Sequence, residues 1–131
     1  MNKLFFLFTL IFSLSFFSSK SNAEWTKISE STSGNVSYVD FDTIRKHKGY
    51  TYYWTLTDMI KPLNNYLSGK RYMQGDCGVF RYKPLTFSFH LEPMGRGKGD
   101  VQEPVGKNKN WVYPEPSTVG GSVLNSVCKS K

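Results

Sequence analysis

The chain has 131 residues, two cysteines, two histidines, and 17 Lys and Arg against 10 Asp and Glu, a formal charge of +7. That length supplies one hydrophobic core rather than two, and so few His and Cys leave little material for a metal centre. A basic balance favours anionic partners through long-range attraction but says nothing about fold.

Met1-Asn2-Lys3, an apolar run from Leu4 to Phe17 and a polar stretch ending in Ser21-Asn22-Ala23 form the three-part layout of a secretory signal peptide. The small residues Ser21 and Ala23 predict cleavage between Ala23 and Glu24. The apolar core is about 14 residues long, short of the roughly 20 needed to cross a bilayer, so no stable membrane span is expected after cleavage. No Cys follows it to accept a lipid. Two units are therefore read: a signal at 1–23 and one domain at 24–131 with a charge of about +5. Export disfavours nucleic acid as a partner. In an oxidising compartment two cysteines predict one structural bridge, Cys77–Cys128, which closes a loop long enough to stabilise the domain by roughly 4 kcal/mol.

Trp25 to Ser29 alternates apolar and polar and predicts a first strand, ended by the Ser/Thr/Gly-rich turn Ser31 to Asn35. Val36 to Asp40 predicts a second, followed by one helical turn over Phe41 to Ile44 and an exposed basic turn, Arg45 to Gly49. Tyr50 to Asp58 is the strongest strand signal, with Tyr50, Tyr52, Trp54 and Leu56 on one face, predicted as core, and Thr51, Tyr53, Thr55 and Thr57 on the other. After the break at Lys61 to Asn65, Ser68 to Tyr82 reads as one long strand, bulged near Gly75 and Gly78. Leu85, Phe87, Phe89 and Leu91 mark the buried face of a strand between Pro84 and Pro93, which leaves His90 on the solvent face.

Met94 to Asn110, rich in Gly and Lys, predicts a mobile loop. Ser117 is the predicted cap of a C-terminal helix whose stripe is Val119, Val123, Leu124, Val127 and Cys128. Gly120 and Gly121 each weaken that helix by about 1 kcal/mol relative to Ala. The fold class is α+β: an antiparallel sheet or small sandwich of about five to six strands with a C-terminal helix. Parallel βαβ units are excluded because no crossover helix separates the strands.

No chemistry-bearing constellation stands out. His47 with Asp40 and Asp42 reads as a solvated turn, and no metal or other cofactor is expected. No GxSxG elbow is present, and Asp58 and Asp76 are the one carboxylate pair worth measuring for glycoside chemistry. The expectation is a protein that is not an enzyme. Met94-Gly95-Arg96-Gly97-Lys98-Gly99 lacks the Ser or Thr of a nucleotide loop and reads as a basic arm able to meet anions. Arg96, Lys98, Lys107 and Lys109 are the candidate contact residues for a protein or an acidic glycan. Arg45 to Lys48 and Lys70-Arg71 are two further basic knots, which could share a polyanion with the loop if folding brings them to one face.

The order Trp25, Tyr38-Val39-Asp40, Thr43-Ile44, Trp54, Leu56, Asp58, Ser68-Gly69-Lys70, Asp76-Cys77, Met94-Gly95, Gly97, Trp111, Pro114, Ser117 and Cys128 resembles the bacterial surface-adhesin protein E-like family. The resemblance implies an antiparallel β domain with a C-terminal helix in a Gram-negative envelope, displayed on the outer membrane, able to form a homodimer and to bind host matrix and plasma proteins. The matching residues also suit a scaffold, with Trp25, Trp54 and Trp111 as core aromatics. The function expected is therefore a non-catalytic, adhesin-like envelope binding protein. The alternative is a soluble periplasmic accessory or structural protein that binds an envelope partner through a strand edge. An inhibitor of envelope-attacking hydrolases fits less well, because such enzymes are commonly basic and would be repelled.

Overall fold

The computed structural model describes residues 23–131, so the predicted signal, up to its last residue, lies outside the described residues. Six strands form one antiparallel sheet whose spatial order is the sequence order: β1 Thr26–Glu30, β2 Val36–His47, β3 Tyr50–Leu63, β4 Tyr66–Asp76, β5 Arg81–His90 and β6 Gly99–Gln102. One helix, α1 (Val119–Lys129), follows, and two 3-10 turns occupy Pro93–Gly95 and Gly106–Lys109. The architecture is α+β. Among the described residues no helix is long and apolar enough to cross a membrane.

Several predicted boundaries move. Phe41 to Ile44 is strand, not a helical turn: the Asp40 carboxylate accepts from the Asp42 N–H, and the register slips between Asp40 and Arg45 as a bulge inside β2. Ser68 to Tyr82 is not one bulged strand. The chain reverses over Cys77 to Phe80, with Phe80 at positive φ, and Arg81 and Tyr82 already belong to β5. Pro84 sits inside β5, beside the slip opposite Tyr72 and Met73 where a ladder N–H is dispensable. Leu91 lies past the strand end and is exposed.

Directly paired residues on antiparallel strands share a face. The helix covers the face that carries Val39, Tyr53 and Met73, and Val123, Leu124 and Val127 complete that core, with Ile28, Phe41 and Tyr82 packed around it. Complete burial of Leu124 and Val127 stabilises by roughly 2 kcal/mol each. Burial also pushes the Tyr53 phenol well above the ordinary tyrosine range, with Tyr82 adding to the shift. The aromatic face predicted as core is the opposite one: Tyr50, Tyr52 and Trp54 are half-buried on the side without the helix, as are Trp25 and Trp111. The reason is clearance. A Cβ on Gly75 would stand 3.0 Å from Leu124 and 3.1 Å from Tyr53, so Leu124 packs directly over Gly75, where a bulkier residue would not fit.

Thr118, one residue after the predicted Ser117, caps the helix: its hydroxyl accepts from Gly121 N–H at 3.1 Å and donates to the Glu115 carbonyl at 2.6 Å. Gly121 has a packing reason, since a Cβ there would strike the Glu115 carbonyl. The other end of α1 is tied to the β4–β5 turn by the Cys77–Cys128 disulfide, across a sequence separation of 51.

Candidate binding surface

On the helix-free face the register lays out cross-strand rows. Arg45, Tyr52, Gln74 and Lys83 form one, on β2 to β5 in order. His47, Tyr50, Asp76 and Arg81 lie beside it toward the disulfide end. The aromatic rings join: Trp111 stacks on Tyr50 with centroids 5.8 Å apart, Tyr72 on Tyr52 at 6.2 Å, and Trp54 meets Tyr72 at 5.0 Å. Trp111 reaches this face because Val112 pairs with Tyr82 on the free margin of β5.

Cations are held on these rings. The Arg81 guanidinium lies 4.2 Å and the Lys83 ammonium 4.8 Å from the Trp111 centroid, and Arg45 donates to the Tyr72 hydroxyl at 3.0 Å. Arg81 is also paired with Asp76 at 3.0 Å. The Val79 N–H, and then Arg81, hold the Asp76 carboxyl below its ordinary range against the opposing effect of burial. The Tyr113 hydroxyl, and then Asp76, raise the Arg81 pKa. Among the described residues no carboxylate forms an ion pair with Arg45, Lys46, Lys48 or Lys83.

Farther along the same face a cleft of about 500 Å³ is floored by Trp54, Lys70, Thr86 and Ser88 and bounded by Trp25, Asp40 and Val101. Beyond it the segment predicted as a mobile loop is pinned. The Met94 N–H donates to Asp58 at 2.8 Å, and the buried Ser68 hydroxyl accepts from Gly95 N–H at 2.8 Å while donating to the Glu92 carbonyl at 2.6 Å. His90, expected on a solvated face, is buried instead, with its ring between the Ser88 hydroxyl and the Gly97 carbonyl. Gly95 has positive φ and lies over Leu56 and Lys70, where a side chain would not fit.

Arg96, Lys98, Lys107 and Lys109 are all exposed, but they do not form one surface. Arg96 and Lys98 flank Gly97 beside His90. Lys107 lies on the other face, where a groove of about 360 Å³ also holds Arg71, Phe87 and Phe89, and Lys109 ends the same 3-10 turn. The Lys70-Arg71 knot is split across the sheet, with Lys70 under Gly95 and Arg71 over the Phe87 ring. The β2–β3 basic turn lies at the Asp76 end of β4 and the Arg96 loop at the Ser68 end, about 27 Å apart along the strand. Nothing in the linear sequence groups Arg45 with Arg81 and Lys83. The available signal was strand parity, which puts Arg81 and Lys83 on one face once the turn at Cys77 to Phe80 is recognised.

Asp58 and Asp76 stand in those same two distant rows, far beyond the 5–9.5 Å separation of a glycosidase pair. Among the described residues no three His, Cys, Asp or Glu side chains converge as a metal site.

The family model for surface-adhesin protein E matches residues 25–129. No curated protein matches the sequence. Among solved structures, crystal form II of Haemophilus influenzae protein E superposes with a TM-score of 0.65, over 82% of this chain and 88% of that chain, at 14% identity. Protein E from non-typeable Haemophilus influenzae gives a TM-score of 0.58 over 85% of this chain and 76% of that chain, also at 14% identity. At such identity these likenesses speak for the fold, while the sequence pattern carries the assignment. The chain belongs to the surface-adhesin protein E family.

Proposed function

We propose that this protein is a non-catalytic, adhesin-like binding protein of the cell envelope, exported by removal of residues 1–23 and acting at the cell surface as a 24–131 domain. The family match over 25–129 carries the reading. Within it, Arg96 and Lys98 are the contact residues of the basic loop, for an acidic partner. They flank a backbone held by Asp58, Ser68 and His90, so little conformational entropy is lost when a ligand settles there.

The test is protease treatment of intact source cells, joined to adherence assays of a deletion strain complemented with wild type or with Arg96→Glu/Lys98→Glu. Digestion in intact cells, with adherence restored by wild type and not by the charge-reversed variant, supports the reading. Protection from protease with release by osmotic shock replaces it with that of a periplasmic accessory protein. Full adherence by the variant removes the loop from the contact surface.

A further inference from the structure

We infer that the disulfide end of the helix-free face is a binding strip for an acidic polysaccharide, a chain of sulfated or uronate sugars lying across strands β2 to β5. The inference rests on the reading of the chain as a non-catalytic binding protein, and it names a surface and a ligand class which that reading leaves open.

Three features meet in one place. The first is charge: Arg45 stands at one end of a cross-strand row and Lys83 at the other, three strand spacings or about 14 Å apart, with Arg81 in the adjoining row. Lys48 on the β2–β3 turn adds to the positive field, as do Lys46 and Lys129 at the same end of the sheet but on its helix side, where the Lys46 ammonium reaches the Ser130 carbonyl at 3.1 Å. Against them among the described side chains of these two rows stands Asp76, already paired with Arg81.

The second is preorganisation. Trp111 holds the Arg81 and Lys83 head groups against its ring, and the Tyr72 hydroxyl fixes Arg45, so the cations on both sides are placed before a ligand arrives. Trp111 is a positioning residue here, because its ring faces are taken by Tyr50 and the two cations.

The third is the floor between the cations. Tyr52 and Gln74 lie between Arg45 and Lys83 and are half-buried, with Tyr72 stacked on Tyr52. A ring face accepts the apolar C–H face of a sugar, and an amide beside it bonds hydroxyls, a combination that a bare phosphate chain has no means to use.

The purified 24–131 domain with its disulfide intact is titrated with heparin, with inorganic polyphosphate as an anion without sugar rings and with neutral dextran, over a series of salt concentrations. Expected is heparin binding that weakens steeply with salt, and no binding of dextran. Arg45→Gln/Lys83→Gln should lower heparin affinity by roughly 10- to 30-fold near physiological salt and flatten the log-log salt slope by about 1.5. Lys27→Gln/Lys61→Gln, which removes equal charge far from the strip, should change affinity by less than about threefold. Tyr52→Ala should weaken heparin by about tenfold at unchanged salt slope and leave polyphosphate unaffected. Equal losses for the two double variants would show diffuse charge and overturn the strip. Polyphosphate binding as tight as heparin, insensitive to Tyr52, would overturn the sugar. Neither result bears on surface location, and a periplasmic outcome in the protease test leaves these affinities as they are.

Discussion

Ser68→Ala tests whether the Met94 to Gly97 segment is part of the folded domain. Ser68 is fully buried, and its hydroxyl is the partner of the buried Gly95 N–H at 2.8 Å and of the Glu92 carbonyl at 2.6 Å. Alanine fits the space and removes both bonds. Glu92 is exposed, so water replaces the hydroxyl at its carbonyl, but Gly95 is buried and its N–H is left unsatisfied at a cost of about 1–3 kcal/mol. Opening the turn to hydrate that N–H is no escape, because Leu56 beneath it is fully buried and its exposure costs about as much again. The expected loss is about 2 kcal/mol, or roughly 8 °C in Tm for a domain of this size.

Urea denaturation gives the magnitude, and amide exchange at Met94 and Gly95 locates it. Asp58→Asn is the control, since its amide oxygen still accepts from Met94 N–H, and it should cost less than about 1 kcal/mol. A Ser68→Ala loss below about 0.5 kcal/mol with Gly95 exchange unchanged would refute the argument: the turn would then rest on the sheet without being held.

Three other outcomes follow from the same geometry. Replacing both Cys77 and Cys128 by Ser should lower stability to urea by roughly 4 kcal/mol, and the loss of α1 should appear first in far-UV circular dichroism because two glycines leave it weak alone. Gly121→Ala raises helix propensity by about 1 kcal/mol yet should destabilise by about 1–3 kcal/mol in thermal melts, since the new methyl meets the Glu115 carbonyl. Asp76 has a lowered folded pKa, so its contribution is fully present above the ordinary carboxylate value of 3.8 and is lost as pH falls through the depressed one; in urea midpoints from pH 6 to pH 2, Asp76→Asn should flatten that acid limb and leave the slope above pH 5 unchanged.

Elements that declare themselves by local pattern were legible in the sequence. The first half of β3 follows a period of two, α1 follows the Val119, Val123, Val127 spacing, and the two cysteines have one pairing open to them. What escaped depends on partners far along the chain. Met94 to Asn110 looks like a free loop until Asp58, Ser68 and His90, 7 to 36 residues away, are seen to bind it. His90 alternates with Phe89 as a solvated residue should, and only the return of Gly97 and Gly99 over its ring buries it. The turn at Cys77 to Phe80 is hidden because Asp76 closes it through its own side chain, accepting from Val79 N–H, without the Asn-Gly signature of a hairpin. The candidate cations divide for the same reason: proximity in sequence keeps Arg96 and Lys98 together, whereas Lys83 shares a row with Arg45 only across the two intervening strands.

The face of β3 that is left without the helix bears most directly on function. Hydrophobicity alone ranks Tyr50, Tyr52, Trp54 and Leu56 above Thr51, Tyr53, Thr55 and Thr57, and a single sheet with one helix can cover only one of the two. Shape enters the choice at one point: Leu124 packs over Gly75, where a bulky ring would hold it away from the strands, and Tyr53 lies beside it in the core. The larger aromatics therefore stay on a face whose turn of Pro93–Gly95 covers Leu56, where Arg81 and Lys83 of β5 lie over Trp111 and Arg45 of β2 bonds the Tyr72 hydroxyl. Half-buried rings thus lie beside two cations, Arg45 and Lys83, that have no ion-pair partner among the described residues. Interfaces are enriched in aromatic residues and Arg, which supply contact area and charge together, and the end of this face near the disulfide has that composition around the half-buried Tyr52 and Gln74.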